Sequence, residues 1–163
     1  MVGPTETTVA TIVAIVVTAS LPFYLYGAWI ILSSSVVTWN RLMTHLAYVG
    51  IGLAMTTVPM LVWMLPRLLD QLSGLMALHA FLGIQAYALL VFALTGIVRI
   101  FQAKRAHDLY RNPAQDVPID EIHEHMGAWR RRLRVGVFGY VVFWILAWIV
   151  GLVRYLIRYG SPL

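Results

Sequence analysis

Four long apolar runs constrain this chain more than any other feature. They cover about residues 8–32, 42–65, 72–101 and 135–157, and none carries a charge in its central stretch. A helix needs roughly 20 apolar residues to cross the hydrocarbon of a bilayer, and each run supplies them. Backbone groups in hydrocarbon must satisfy one another, so runs of this kind become helices. The pattern predicts an all-α fold: a polytopic bundle of four transmembrane helices in a single domain over residues 1–163.

Composition narrows the function classes. The chain is 60% hydrophobic, against roughly 45–50% in soluble domains. Its longest polar stretch, Gln102–Arg134, leaves no room for a separate soluble enzyme. The net charge of +5 does not point to nucleic acid, because the basic residues cluster near helix ends, where they double as membrane anchors. Arg41, Arg99, Lys104, Arg105, Arg111, Arg130, Arg131, Arg132 and Arg134 fall on one side of the bundle. Arg67, Arg154 and Arg158 fall on the other. By the positive-inside rule the first set is cytoplasmic. The expectation is a cell-membrane protein with both termini outside and residues 102–134 inside. Met1–Thr7 holds Glu6 and no basic side chain, so the first run reads as a retained helix and not a cleaved leader. There is no cysteine, which excludes disulfides, thiolate metal sites and thiol catalysis.

Local signals refine the layout. Pro22 removes a backbone donor inside helix one and predicts a kink. The short loop at Pro66–Gln71 predicts that helices two and three are antiparallel neighbours. Two prolines in Asn112–Pro118 break the chain after helix three. Ile119, Ile122, Met126 and Trp129 then recur at helical spacing, with Asp120, Glu121 and Glu124 in the first turns. That predicts an amphipathic inner segment before helix four. Gly50, Gly52, Gly136, Gly139 and Gly151 read as close-packing sites between helices.

Polar groups at membrane depth are the first candidates for chemistry. They are His45 in helix two, and His79 and Gln85 in helix three; His107, His123 and His125 lie in the inner loop. Histidines in a four-helix membrane bundle suggest b-type haem, which takes two axial ligands across one iron. Depth separates His45 from His79 by about 15 Å along the normal, too far to share an iron. His45 with His125 lies on one side, but His125 would have to fold back. A second constellation is Met60, Met64, Met76 and His79. Each helix contributes a pair at helical spacing, in the outer half of neighbouring helices. Thioether and imidazole suit Cu(I), and methionine with histidine also ligates haem. Packing is the plainer alternative, because methionine is an adaptable core residue. Taken singly, His45 is expected to bond Asn40 or Tyr48 or to be solvated, and His79 to bond a serine, threonine or glutamine across helices. No Walker loop, HExxH or nucleophile elbow is present.

One resemblance runs through roughly residues 40–158. Asn40-Arg41-Leu42-Met43 follows helix one, and His79-Ala80-Phe81-Leu82-Gly83 opens helix three. His125 and Met126-Gly127-Ala128-Trp129-Arg130-Arg131 then lead into an aromatic last helix. This layout resembles the YozB-like membrane proteins, often linked with haem–copper oxidase genes, and more distantly is similar to cytochrome b561-like haem bundles. The family commonly has histidine at the Asn40 position, and its final histidine adjoins basic residues. Here His45 comes five residues later, and His125 stands apart from the arginines. The resemblance implies an accessory or assembly protein of a membrane redox system, binding haem or copper. A cofactor-free structural subunit and a small transporter are the other expectations. The partners expected are the lipid bilayer and a larger membrane protein or a second copy.

Overall fold

The computed structural model describes residues 4–34, 37–68, 73–111 and 122–160. They form α1 (Pro4–Leu32), α2 (Trp39–Pro59), a π-helical turn (Met60–Met64), α3 (Gly74–Ala106) and α4 (Met126–Tyr159). The π turn continues α2, and all four helices are long and apolar enough to cross a membrane. Each extends past its apolar run at one or both ends.

Pro22 lies inside α1 without ending it. Pro59 closes α2: it lacks the N–H that would bond the Met55 carbonyl. Beyond it the ladder slips to a five-residue spacing, with the Leu65 N–H donating to the Met60 carbonyl at 2.8 Å. π turns of this kind are often functional. At the start of α3, the Ser73 hydroxyl caps the helix by accepting from the Met76 N–H at 3.3 Å. Asp108, at φ 54°, ends α3 in a left-handed conformation that aspartate tolerates.

The predicted amphipathic segment differs from what forms. Residues 122–125 are turn and irregular chain, and Met126–Arg134 are the opening turns of α4 itself. Asp120, Glu121, Ile119 and the prolines of 112–118 lie outside the described residues. Trp39, Phe101 and Tyr110 form an aromatic cluster that ties residues after α3 to the start of α2. Burial there raises the Tyr110 phenol above its ordinary value.

Successive helices are antiparallel. Both described chain ends lie at one end of the bundle, where Tyr159 donates to Glu6 at 2.9 Å. We call this the terminal end; the other, holding residues 33–34, 37–38, 107–111 and 122–125, is the loop end. Small residues set the closest seams. A Cβ at Gly136 would stand 2.7 Å from the Ala93 backbone nitrogen, and one at Gly96 2.5 Å from the Trp129 carbonyl oxygen. Gly27 likewise lets α2 in against α1, where a Cβ would meet Val49 at 2.9 Å. Gly50, by contrast, has nothing within 4 Å of a Cβ position and packs against no neighbour. The interior holds Ala10, Ser20, Thr56, Ala86, Ala93 and Ala147 together with Met76, Leu82, Met126 and Tyr140, while Leu32, Val62 and Phe138 face outward. Large apolar side chains outside and small ones at the seams are the distribution that lipid solvation favours.

α2 and α3 are antiparallel neighbours, joined by a side-chain bond, but their backbones do not pack closely. Among the described residues, no Cα of α2 or of the π turn comes within 8 Å of a Cα of α3. A short loop fixes where two helices end, not how closely they run. On this side the facing residues include Met60, Trp63 and Tyr87, which hold the backbones apart. One hydroxyl pair spans the gap, Thr57 Oγ1 to Tyr87 Oη at 2.7 Å.

Candidate functional site

The wide α2–α3 side opens into a cavity of about 180 Å³ bounded by all four helices. It runs from the level of Thr56 and Tyr87 to the helix-end residues Arg67, Arg158 and Tyr159. Eleven residues separate Thr56 from Arg67, so its length is roughly 15 Å. The π turn supplies Met60, Trp63 and Met64; α3 supplies Met76, His79 and Gly83. From α4 come Trp144, Trp148 and Gly151, with Arg154 and Tyr155 a turn further on. α1 contributes small apolar residues, Ala10, Val13 and Ala14.

All four residues of the methionine–histidine constellation thus line one cavity. Met76 is almost fully buried at 4% exposure. His79 makes a different bond from the one expected. Its Nδ1 accepts from Arg154 Nη1 at 3.2 Å, because a guanidinium only donates. The ring is therefore neutral with its proton on Nε2. No buried side-chain polar atom among the described residues lacks a partner, so this N–H, which has none, is accessible. Gly151 makes room for the ring: a Cβ there would stand 3.0 Å from Cε1 and 3.2 Å from Nε2.

His45 shows the opposite tautomer. Its Nδ1 donates to the Gly27 carbonyl of α1 at 2.8 Å, and not to Asn40 or Tyr48. A carbonyl only accepts, so the neutral ring keeps its lone pair on Nε2. Metal-bound histidines usually make this backbone bond at Nδ1. His45 and His79 stay far apart. Gly27 lies nine residues from Thr18 on α1, Thr18 Oγ1 accepts from Trp148 Nε1 at 3.1 Å, and Gly151 is three residues beyond Trp148. These steps separate the two histidines by on the order of 20 Å, so they do not share one iron. His125 sits exposed at the start of α4, 3.4 Å from Glu124 and edge-on to Trp129. Among the described residues no hydrogen bond or ring contact joins it to His45. His107 caps α3 through the Ala103 carbonyl at 2.9 Å.

Charge is the property of this cavity that the residue pattern does not announce. Arg67, Arg154 and Arg158 all reach it. Arg158 pairs with Glu6 at 3.4 Å. Arg67 lies 3.3 Å over the Trp63 ring and donates to the Trp63 carbonyl at 3.2 Å. Arg154 has no acidic partner among the described residues. From sequence alone these arginines read as interface anchors. The Gly151/Arg154 pair, one turn apart on a face that also carries Ala147, is the signal that distinguishes Arg154. Below the cavity a chain of hydroxyls closes the bundle: Tyr140 donates to Tyr24 at 3.0 Å, and Tyr24 meets Thr56 at 3.1 Å.

Among described residues no group of three or more histidine, aspartate or glutamate side chains gathers for a metal ion. No curated protein and no solved structure matches the chain. Residues 6–160, nearly the whole chain, match a family model. The chain belongs to that family, described as a domain of unknown function (DUF7321).

Proposed function

We propose that this protein is a multi-pass cell-membrane protein, with both termini outside, that serves as a small accessory or assembly factor of a membrane redox system. It works by holding a ligand in the cavity between α2 and α3. The observation that carries this reading is the cavity itself: four helices pack closely on three sides and stay apart on the fourth. A bundle built only to pack against partners has no need of such a gap. The redox setting rests on the resemblance of the 40–43, 79–83 and 125–131 segments to YozB-like proteins, and on the free Nε2 lone pair of His45. The outward apolar surface suits lipid and a larger membrane partner or a second copy.

A copper reading of the same cavity is favoured by Met60, Met64, Met76 and His79 sharing it. Two features weigh against that reading. Arg154 occupies the Nδ1 lone pair, so the imidazole presents a proton at Nε2 where a metal would need electrons. The adjacent guanidinium also repels a cation. An organic ligand fits better.

The test is the visible spectrum and metal content of the protein purified in detergent after haem- and copper-supplemented expression. A Soret band lost in His45→Ala would assign haem to the loop end. Stoichiometric copper lost in His79→Ala, and weakened in Met60→Leu, would assign the cavity to Cu(I). Neither signal, together with an organic molecule released from wild type and absent from Gly83→Leu, supports an organic ligand in the cavity. Neither signal and no released molecule in any form would sink that assignment and leave a cofactor-free structural subunit.

A further inference from the structure

The geometry points to the class of ligand: an amphiphile with an anionic head, seated with its head at Arg154 and its apolar body along the π turn and α4. This deepens the proposal of a ligand-holding cavity and rests on it.

Three observations converge. The polar groups at the terminal end of the cavity are donors. Arg154 spends one N–H on His79 and no other bond of its remaining four is made among the described residues. His79 presents Nε2–H, and Arg67 uses one N–H on a carbonyl. Glu6, the described carboxylate at this end, already accepts from Arg158 and Tyr159, and Tyr155 donates to Thr11 Oγ1 at 2.8 Å, because the Thr11 hydroxyl itself donates to the Thr7 carbonyl. A site with spare guanidinium and imidazole donors, whose described carboxylate is already engaged, selects a carboxylate or phosphate.

Charge agrees. Three guanidiniums face one described carboxylate at this end. Asp70, between α2 and α3 in the sequence, lies outside the described residues. Shielding from water strengthens the attraction for an anion.

Shape agrees as well. An apolar cavity of about 150 Å³ holds a benzene-sized molecule. This one is about 180 Å³ and roughly 15 Å long, so it takes a slender chain of about ten carbons. Met60 and Met64 are unbranched and adaptable walls for such a chain. Trp144 and Trp148 form the opposite wall.

The same chemistry could come from a free fatty acid or from the phosphate head of a lipid, and the experiment separates them. Full-length protein in phosphatidylcholine nanodiscs is titrated at pH 8 with ω-bromoundecanoate, its phosphate-headed counterpart, the neutral alcohol and the trimethylammonium cation. Bromine quenching of Trp63, Trp144 and Trp148 reads occupancy. The carboxylate or the phosphate should bind at least about tenfold more tightly than the alcohol, and the cation should not bind. Arg154→Gln should bring the anion down to the alcohol's level, while Arg154→Lys keeps most of the preference. Should Arg154→Gln fail to fold, loss of the anion's advantage in high salt in wild type makes the same test. Tighter binding of the phosphate identifies a lipid head; tighter binding of the carboxylate identifies a fatty acid.

Equal affinity for acid and alcohol, with quenching blocked by Gly83→Leu, would overturn the anion assignment and leave the ligand-holding cavity intact. Quenching that Gly83→Leu does not affect would place the probe on the outer surface and overturn both.

Discussion

The two sides of α3 are built by opposite rules. Toward α4 it presents Ala93 and Gly96, and the partner answers with Gly136. Backbones meet there, and nothing larger than a hydrogen fits. Toward α2 it presents Tyr87, and the partner answers with Thr57, Met60 and Trp63. Among the described residues one hydroxyl bond spans that gap, and a cavity fills the rest. Helices that share a solvent and a composition are thus sorted by side-chain size alone. In a lipid solvent there is no hydrophobic drive between helices and contact distance decides association, so the small-residue seam would hold such a bundle while the large-residue side stays open.

This contrast predicts mutational effects that fall off in a definite order. The largest belongs to the seam. Gly136→Val sets new carbons against the Ala93 backbone, which cannot rotate away. Overpacking of this kind costs about 3 kcal/mol. Thermal unfolding in detergent should show a large drop in midpoint, and a near-native midpoint would break the comparison. The cavity side should absorb a bigger insult: Gly83→Leu points into open space, so its midpoint should hold or rise while ligand release disappears.

Next is the hydroxyl chain below the cavity. Tyr24→Phe removes the acceptor of Tyr140 and the partner of Thr56 together. One stranded hydroxyl in such a setting costs about 1–2 kcal/mol. Tyr24→Phe combined with Tyr140→Phe should cost less than the sum of the two single changes, since the pair is removed as a unit. Strict additivity in the double-mutant cycle would show that the two rings do not communicate.

A smaller effect, of opposite sign, is predicted at Gly50. With nothing within 4 Å, Gly50→Ala should stabilise α2 by up to about 1 kcal/mol, the helix-propensity difference. A loss of stability would mean that a partner covers this face. The smallest effect is at the exposed loop-end histidine. His125→Ala should change the midpoint by no more than about 0.5 kcal/mol, and a haem spectrum lost with it would restore His125 as a ligand.

Several features are legible in the residues. The four helices stand out because the count of apolar residues in a run is a local property. Gly52, Gly136, Gly139 and Gly151 are close approaches in the fold as in the pattern, and Met60, Met64, Met76 and His79, paired by helical spacing, line one space. Gly27 and Gly96 sit in equally tight seams without a mark in the sequence, since nothing local separates them from Gly50. The partner of each histidine is also out of local reach: Gly27 stands 18 residues from His45, and Arg154 75 residues from His79.

By itself, the sequence determined that there are four helices, roughly where they lie, and which end of each carries charge, because these depend on neighbours along the chain. Only the tertiary structure decided which helices touch and which stand apart, and it set the two histidines in opposite tautomers. Those outcomes turn on the rotation of each helix about its axis. That rotation is set by the meeting of side chains far apart in sequence, of which no single segment holds a record.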